Sequence, residues 1–292
     1  MKNRKVVKIG NRSVGDGHPC YVVAEIGINH NGSMENALNL IDLAVQCDCD
    51  AVKFQKRTVD VVYSHDELAR PRENPFGTTN GDLKKGLEFN FEQYSEINKY
   101  CKKKGIDWFA SCWDESSVDF IDQFNPPCYK IASASLTDDN LLRHHKKLKK
   151  PIIISTGMST MEQIKHAVEV IGMDDLVILH STSTYPANAE ELNLSVIKVL
   201  REIYEVPVGY SGHEVGVTTS SAAIYFGACM VERHITLDRA LWGSDQAASL
   251  EPNGLKKLVE YIRVLEIARG DGVKKVYPSE EPIIKKLRRK YG

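Results

Sequence analysis

Four charged residues stand inside apolar stretches of this sequence. Lys53 and Lys130 interrupt the runs AVKFQ and CYKIAS, and the side chains of Glu25 and Glu232 interrupt two similar runs. A charge removed from water needs a partner, because its desolvation is otherwise costly. The lysines therefore indicate either internal ion pairs with the two glutamates or a site for an anion that carries carboxylate or phosphate groups.

Small hydroxyl groups accompany the lysines and favour the anion site. The serines concerned are Ser111, Ser133, Ser155 and Ser211. Hydroxyls and backbone N–H groups are suitable donors to a carboxylate or a phosphate. A third chemistry stays open, because burial lowers the pKa of an ammonium group and a neutral Lys53 or Lys130 could form a Schiff base with a keto acid.

Two histidines occur at similar positions late in the chain. His213 ends the run PVGYSGH, and His234 lies in CMVERHIT. On neighbouring strands the two imidazoles could bind one divalent ion, such as Mn, Fe or Zn, with water in the remaining positions. Hydrogen-bonded core histidines are the alternative. Because side chains alternate along a strand, Glu232 and His234 share one face and Arg233 lies on the other.

Eight short apolar runs are predicted to be the strands that position these residues. Each is followed by a turn and then by a stretch with helical periodicity. The runs are YVVAEIG (21–27), AVKFQ (51–55), IDWFAS (106–111), CYKIAS (128–133), PIIIST (151–156), LVILHS (176–181), PVGYSGH (207–213) and CMVERHIT (229–236). This alternation predicts one α/β domain, residues 1–292, folded as a parallel (β/α)8 TIM barrel. The residues above are then expected at the rim formed by the carboxyl ends of the strands.

The composition excludes several classes of partner. The chain has 292 residues with 38 basic and 39 acidic side chains, so no charge excess favours binding to nucleic acid or membrane. No apolar run reaches the ~18 residues of a membrane span, and the amino terminus lacks the apolar core of a signal peptide. The seven cysteines lack CxxC spacing, which favours reduced thiols and a cytoplasmic location.

One interval is long for a barrel of this kind. Residues 56–90 separate the second strand from its helix, and Pro, Gly, Asn and Thr cluster in the middle. We expect an inserted loop that forms a lid or a pocket wall, since loops of this length in compact domains are usually functional or mobile. Its polar side chains Arg70, Arg72, Asn74, Asn80 and Asp82 are available to contact the hydroxyls or a phosphate of a substrate.

Seven motifs, in order and over nearly the whole chain, resemble the barrel of the sialic acid synthase (N-acetylneuraminate synthase) family. They are AEIGINHNGS (24–33), VKFQK (52–56), YKIAS (129–133), STGMST (155–160), GYSGHEVG (209–216), ERHITLD (232–238) and GSDQAASLEP (243–252). The resemblance implies condensation of phosphoenolpyruvate with an open-chain aldose of the mannosamine or mannose type. The expected products are a 3-deoxy-2-ulosonic acid and phosphate.

The resemblance also implies roles for individual residues. His213 and His234 are implied as ligands of a divalent metal, commonly Mn²⁺, that polarises the aldehyde oxygen. The implied phosphoenolpyruvate site comprises Lys53, Ser111, Lys130, Ser133, Ser155 and Ser211, and the implied sugar site comprises Glu25, Gln55, Tyr185 and Asp245. The expected catalytic groups are Glu25, Lys53, Lys130 and Glu232. Glu25 is preferred for proton transfer, with a water molecule on the metal as the alternative.

The chain departs from the family pattern at three points. Members usually continue past the barrel into a small antifreeze-like domain, which we do not expect within residues 1–292. Ser135 stands where the family often has an acidic residue, and Ser181 stands where a cysteine is common. Neither substitution touches the expected metal or phosphoenolpyruvate groups. The resemblance also implies a homodimer.

Two other functions stay open at this point. A Schiff-base keto-acid aldolase of the same fold would use Lys53 or Lys130 as its nucleophile and would be indifferent to chelators. A degenerate barrel that only binds a sugar or a partner protein is the non-enzymatic alternative. The complete sets of lysines, serines and histidines disfavour it, because lost catalysis should leave gaps among them.

Overall fold

Eight parallel strands form a closed barrel in the computed structural model, which describes residues 5–290. The strands in chain order are β1 (Val7–Ile9), β2 (Arg12–Val14), β3 (Tyr21–Gly27), β4 (Ala51–Lys56), β5 (Pro71–Asn74), β6 (Gly77–Thr79), β7 (Asp107–Cys112), β8 (Tyr129–Ile131), β9 (Ile152–Ser155), β10 (Leu176–Ser181), β11 (Val208–Gly212) and β12 (Met230–His234). The barrel runs β3-β4-β7-β8-β9-β10-β11-β12, and β12 pairs with β3. Each predicted run overlaps one barrel strand, so the (β/α)8 prediction is confirmed.

Helices surround the barrel and follow its strands. They are α1 (Met34–Gln46), α2 (Val59–Val62), α3 (His65–Ala69), α4 (Asn80–Gly86), α5 (Phe91–Lys104), α6 (Glu115–Asp122), α7 (Asp139–Lys147), α8 (Met161–Ile171), α9 (Val196–Ile203), α10 (Thr218–Ala222), α11 (Pro252–Ala268) and α12 (Glu281–Leu287). Local signals fix where the long ones begin: Ser33 caps α1, and Asn90 and Thr160 form capping boxes on α5 and α8. None of the helices between residues 5 and 290 has the length and apolar character needed to traverse a bilayer.

Strand register brings the charged residues into one layer inside the barrel. Glu25 of β3 lies opposite Lys53 of β4 on one side and opposite His234 of β12 on the other. Similarly, Ser111 pairs with Lys130. Opposed residues on neighbouring strands share a face, so all of these side chains point to the barrel axis at the carboxyl rim.

An amino-terminal hairpin that the sequence did not predict closes the opposite end of the barrel. Strands β1 and β2 pair antiparallel, and Val7, Ile9 and Val14 pack into one cluster with residues from the amino-terminal halves of the barrel strands. Gly10 makes the turn with a φ of 54°, and a Cβ there would meet the Asp107 carboxylate. The barrel interior therefore opens only at the carboxyl rim within the described residues.

The interval 56–90, expected as a loop, contains short ordered elements. Helices α2, α3 and α4 and the hairpin β5–β6 lie within it. Ser64 caps α3, and Thr79 and Asp82 form a capping box on α4. These helices have four to seven residues, which is too short for a helical period to show in the sequence. Phe76 packs against Gly32 and Gly86, which attaches the segment to the rim of the barrel.

Candidate active site

A cavity of about 230 Å³ opens at the carboxyl rim, and nearly every predicted site residue lines it. The predicted residues found there are Glu25, Lys53, Gln55, Ser111, Lys130, Ser133, Ser155, Tyr185, Ser211, His213, Glu232 and His234. Asp245 is absent from this lining and lies behind His234. Ser181 at the end of β10 also lines the cavity. The loops add Trp113, Ala132, Ala134, Met158 and Ser183, which sequence patterns did not single out as site residues, because loop direction is not encoded by strand periodicity.

Lys53 stands between two carboxylates at the floor of the cavity. Its Nζ lies 3.0 Å from Glu25 Oε2 and 3.4 Å from Glu232 Oε1, and it donates to Ser111 Oγ at 3.0 Å. Internal ion pairs, one of the two arrangements considered from the sequence, are therefore present. The arrangement leaves Glu25 Oε2 without an aligned hydrogen bond, since the short contact with Lys53 has poor donor geometry.

Lys130 forms the second half of this network. Its Nζ donates to Ser155 Oγ at 2.7 Å and lies 3.5 Å from Glu232 Oε1. Ser211 also donates to Glu232 Oε1, at 3.0 Å, while Glu232 Oε2 is buried without any partner. Three donor groups thus surround Oε1 of Glu232, and Oε2 of the same side chain is available to a ligand.

The two glutamates have opposite acidities. Burial and the neighbouring Glu232 raise the pKa of Glu25 to about 7, although the Lys53 ammonium opposes this shift. Burial also disfavours charge on Glu232, but the ammonium groups of Lys130 and Lys53 outweigh it and lower its pKa to about 2. A pair of carboxyls separated in this way suits one to proton transfer and the other to a fixed negative charge.

His213 and His234 lie next to each other in the cavity lining, with ring centroids 5.5 Å apart. Nδ1 of His213 donates to the carbonyl of Thr182 at 2.6 Å, which leaves Nε2 with its lone pair free. Nδ1 of His234 is buried without a hydrogen-bond partner. Burial lowers the pKa of both rings to about 4, so both are neutral near pH 7 and able to bind a metal ion.

The donor set fits a divalent metal held by two imidazoles. No group of three or more His, Cys, Asp or Glu side chains with metal-binding geometry occurs between residues 5 and 290. A metal at this position would therefore keep several positions for water or substrate, which is the open arrangement used in metal catalysis. Glu232 Oε2 and His234 Nδ1 are buried without hydrogen-bond partners, and this is the observation on which the fit to a metal ion rests.

The remaining predicted sugar-site residues border the imidazoles. Gln55 donates to Glu25 Oε1 at 3.0 Å. The ring of Tyr185 lies 4.1 Å from that of His213 and is 46% exposed at the mouth of the cavity. Asp245 Oδ2 lies 3.8 Å from His234 Nδ1. Gln55 and Tyr185 line the cavity, and Asp245 lies beside His234.

Three polar residues near the carboxyl ends of barrel strands face away from the cavity. Thr156 and His180 hydrogen-bond to the carbonyls of Leu179 and Leu192, and Tyr210 donates to Glu214. They occupy alternate strand positions, which direct their side chains toward the surrounding helices. They are hydrogen-bonded core residues.

Contacts of Arg233 explain how strand β12 can bury three consecutive ionisable residues. Its side chain is 1% exposed and points outward, as the alternation predicts. It pairs with Glu214 Oε1 at 3.3 Å and donates to the Gly216 carbonyl at 2.7 Å. Glu214 also accepts from Ser220, Thr219 and Tyr210. Sequence patterns did not identify this pair, because Glu214 lies in the loop after β11.

Comparison with known proteins places this geometry in a family. Residues 40–274 match the NeuB family. The chain is 38% identical to the N-acetylneuraminate-9-phosphate synthase of Homo sapiens, over 94% of this chain and 78% of that protein. It is 35% identical to the N,N'-diacetyllegionaminic acid synthase of Legionella pneumophila, over 98% of this chain and 83% of that protein.

A solved structure supports the same assignment. The crystal structure of the N-acetylneuraminic acid (sialic acid) synthetase from Leptospira borgpetersenii superposes with a TM-score of 0.86 and 29% identity, covering 98% of this chain and 99% of that one. The expected resemblance to sialic acid synthases and the expected enzyme class, a sugar-acid synthase, are confirmed, and the chain belongs to the NeuB family.

Proposed function

We propose that this protein condenses phosphoenolpyruvate with an open-chain aldose of the mannosamine or mannose type, in a reaction that depends on a divalent metal. The products are a 3-deoxy-2-ulosonic acid and phosphate. The observation that carries the proposal is the single cavity in which two buried lysines and their serines face two neutral imidazoles. It brings a proposed anion site and a proposed metal site together in one cavity.

The donor site is suited to phosphoenolpyruvate by charge and hydrogen bonding. Lys53, Lys130 and the hydroxyls of Ser111, Ser133, Ser155 and Ser211 supply donors to a carboxylate and a phosphate. Ser133 Oγ in addition accepts from the N–H of Gly157, which fixes its position. Binding of the donor would displace the lysines from their contacts with Glu25 and Glu232, so the glutamates hold the ammonium groups ready in the empty cavity.

Charge balance supports a metal in the same cavity. At neutral pH a carboxylate and a phosphate together carry about −2.5 to −3. The lysines and glutamates of the cavity nearly cancel one another, so side chains alone offset little of this charge. His213 and His234 would hold the divalent cation, commonly Mn²⁺ in this family. When bound, the ion supplies positive charge and polarises the acceptor's carbonyl.

Proton transfer is assigned to Glu25. Carbon 3 of phosphoenolpyruvate attacks the aldehyde carbon, whose oxygen takes up a proton. Water then adds to carbon 2 and loses one proton. Phosphate leaves with cleavage of its C–O bond and takes the remaining hydroxyl proton as carbon 2 becomes a ketone. A carboxyl with a pKa near 7 both donates and accepts protons at working pH. Gln55 fixes Glu25 by its hydrogen bond.

Glu232 and the sugar-side residues complete the proposed site. Glu232 remains ionised between both lysines and orients them toward the donor. Gln55, Tyr185 and Asp245 form the side on which the acceptor binds, and the segment 56–90 forms an outer wall. The free cysteines support a cytoplasmic location, and the family resemblance supports a homodimer.

A phosphate-release assay tests the proposal. The protein is incubated with phosphoenolpyruvate and a panel of mannose and mannosamine derivatives, with and without Mn²⁺. We expect acceptor-dependent and metal-dependent release of phosphate together with a 3-deoxy-2-ulosonic acid. Absence of product with every acceptor in the presence of metal contradicts the proposal.

Lys130 favours one second candidate, a Schiff-base aldolase. Burial lowers its pKa to about 8, which brings an amine closer to the neutral form that attacks a keto acid. The phosphate-release assay, run with and without a chelator, separates the two functions. Borohydride trapping of pyruvate on Lys130, with turnover that chelators leave unchanged, would replace the proposed reaction by the aldolase.

A further inference from the structure

Ser181 lines the active-site cavity, although the sequence did not place it among the groups expected to bind phosphoenolpyruvate. The residue ends β10 and is 5% exposed. Its Oγ is buried and has no hydrogen-bond partner within residues 5–290. The proposed reaction, as described so far, gives this hydroxyl no role.

Strand register directs the Ser181 side chain into the barrel. Ser181 lies opposite Ser211 of β11 in the parallel pairing, and Leu179, two residues earlier, packs in the cluster that fills the barrel interior. Side chains alternate along a strand, so Leu179 and Ser181 share the inner face. His180 between them points outward to the Leu192 carbonyl. The unpartnered hydroxyl therefore faces the cavity and not the surrounding helices.

The order of strands places Ser181 within the proposed donor site. Four of the residues assigned to phosphoenolpyruvate lie on β7, β8, β9 and β11, namely Ser111, Lys130, Ser155 and Ser211. β10 lies between β9 and β11, and none of the assigned residues belongs to it. Ser181 therefore completes an arc of polar side chains over five consecutive strands.

The two neighbouring hydroxyls of this arc have protein partners. Ser155 Oγ accepts a hydrogen bond from Lys130 Nζ at 2.7 Å, and Ser211 Oγ donates to Glu232 Oε1 at 3.0 Å. Ser181, between them, makes no such contact. A buried hydroxyl without a partner costs free energy, and nearly all buried polar groups in folded proteins are hydrogen-bonded. This exception indicates that a ligand supplies the partner.

The surroundings of Ser181 favour an anionic oxygen as that partner. A serine O–H is a donor, and its hydrogen bond is stronger when the acceptor carries a charge. The ammonium group of Lys130 lies beside the neighbouring Ser155 and attracts an anion to this part of the cavity.

We propose that Ser181 is an additional binding residue for phosphoenolpyruvate and that its hydroxyl donates to a carboxylate or phosphate oxygen of this substrate. The inference rests on the proposed function, which supplies the anionic donor. The glutamates hold Lys53 and Lys130 in the free protein, whereas the Ser181 hydroxyl gains its partner when the donor binds. Its contribution therefore lies in donor affinity and not in the stability of the free protein.

Ser181→Ala tests this assignment because it removes the hydroxyl alone. The dissociation constant for phosphoenolpyruvate, measured by calorimetry without the sugar, should rise roughly 10- to 100-fold, the effect of losing one hydrogen bond to a charged group. The KM for the sugar at saturating phosphoenolpyruvate should stay unchanged. Ser181→Cys has a similar shape but a weak donor and should resemble Ser181→Ala, whereas Ser181→Thr keeps a hydroxyl and should bind more tightly than either.

Denaturant unfolding gives a second readout, which a structural role would move in the opposite direction. Because the Ser181 hydroxyl has no partner in the free protein, Ser181→Ala should keep or raise the denaturation midpoint. Ser117 on α6 is the matched control, since it is also buried but donates to Asp114 at 2.6 Å and does not line the cavity. Ser117→Ala should lower the midpoint and leave the affinity for phosphoenolpyruvate unchanged.

Two competitive inhibitors identify the oxygen that accepts from Ser181. Inorganic phosphate and pyruvate each carry one of the two anionic groups of phosphoenolpyruvate. If Ser181→Ala weakens inhibition by phosphate alone, the hydroxyl donates to the phosphate group. If it weakens inhibition by pyruvate alone, the hydroxyl donates to the carboxylate.

Other results would overturn the inference. Unchanged affinity for phosphoenolpyruvate in both Ser181→Ala and Ser181→Cys removes the assignment and leaves the proposed function intact. A midpoint that falls as far in Ser181→Ala as in Ser117→Ala would give the hydroxyl a structural role instead. If Ser181→Ala weakens donor binding while the wild-type protein forms no sugar acid with any acceptor, Ser181 remains a donor-binding residue and the proposed condensation fails.

Discussion

Arg233 Nη1 lies 3.3 Å from Glu214 Oε1, and these two residues directly adjoin His234 and His213. The ion pair lies on the outer face of the barrel, and the imidazoles lie on the inner face. It joins the end of β12 to the loop that follows β11. We therefore expect the spacing of the two histidines to depend on a contact that neither histidine makes.

Arg233→Met should loosen the metal site without removing a ligand. We expect metal affinity to fall about 10- to 100-fold, as for other residues that position metal ligands. The free energy of unfolding should fall by about 3 to 5 kcal/mol, because Glu214 keeps a buried charge without its partner. Calorimetric titration with Mn²⁺ and denaturant unfolding measure the two effects.

The double variant Arg233→Met/Glu214→Gln separates these effects. It removes both charges, so stability should recover in part, while metal affinity should stay low because the link between the strands is still absent. Unchanged Mn²⁺ affinity in Arg233→Met would show that the pair has no positioning role.

His213→Ala and His234→Ala should each abolish activity and weaken Mn²⁺ binding by at least about 10-fold. Each removes one of only two proposed protein ligands. His166→Ala is the control, because His166 lies on α8 and contacts Asp139 far from the cavity. Circular dichroism confirms that the barrel folds. Full turnover in either cavity variant would remove the metal assignment.

Lys130 should impose an alkaline limit on donor binding. Burial lowers its pKa to about 8, so the ammonium form is lost as the pH rises through that value. We expect kcat/KM for phosphoenolpyruvate, which reports the free enzyme, to fall above about pH 8. Lys130→Arg keeps the charge at all working pH values and should remove this limb of the profile.

Lys130→Met provides the complementary measurement if Arg disturbs the packing. It should lower kcat/KM for phosphoenolpyruvate by more than about 10-fold at every pH, since one charged hydrogen bond is lost, and the profile should be flat near pH 8. If kcat/KM for phosphoenolpyruvate still falls near pH 8 in both variants, a group other than Lys130 titrates there.

Glu25 should make stability decrease as pH rises. Burial raises its pKa from 4.5 to about 7 in the folded protein. Its contribution is therefore fully present below about pH 4.5 and is lost as the pH rises through 7. Glu25→Gln should remove up to about 3 kcal/mol of this dependence and should abolish turnover.

Chemical denaturation at several pH values measures this slope. The exposed residue Glu190 supplies the control, because Glu190→Gln should leave the wild-type slope between pH 4.5 and 7 unchanged. If Glu25→Gln keeps that slope, Glu25 is not the group that titrates there.

The barrel was predictable because its strands are buried on both faces. Runs such as IIIS and LVIL contain little besides β-branched and aliphatic residues, and period-two alternation then fixed which of Glu232, Arg233 and His234 points inward. Strand ends were less predictable. β8 stops at Ile131, since a short 3-10 helix at Ser133–Ser135 takes over where the sequence still reads as strand.

The features that sequence patterns did not predict depend on contacts between residues that are far apart in the chain. The strands VKI and RSV of the amino-terminal hairpin have three residues each, too few for a period, and their burial comes from the barrel they cover. The resemblance supplied Tyr185 and Asp245, which no periodicity identifies.

The hairpin seal has a kinetic consequence. Because Val7, Ile9 and Val14 close one end, the cavity has one entrance within residues 5–290. Lys53 and Lys130 lie at its floor, almost fully screened from solvent, whereas Tyr185 stands at the lip. We therefore expect the three-carbon donor to bind before the sugar, so that initial-rate kinetics should show a compulsory order of addition.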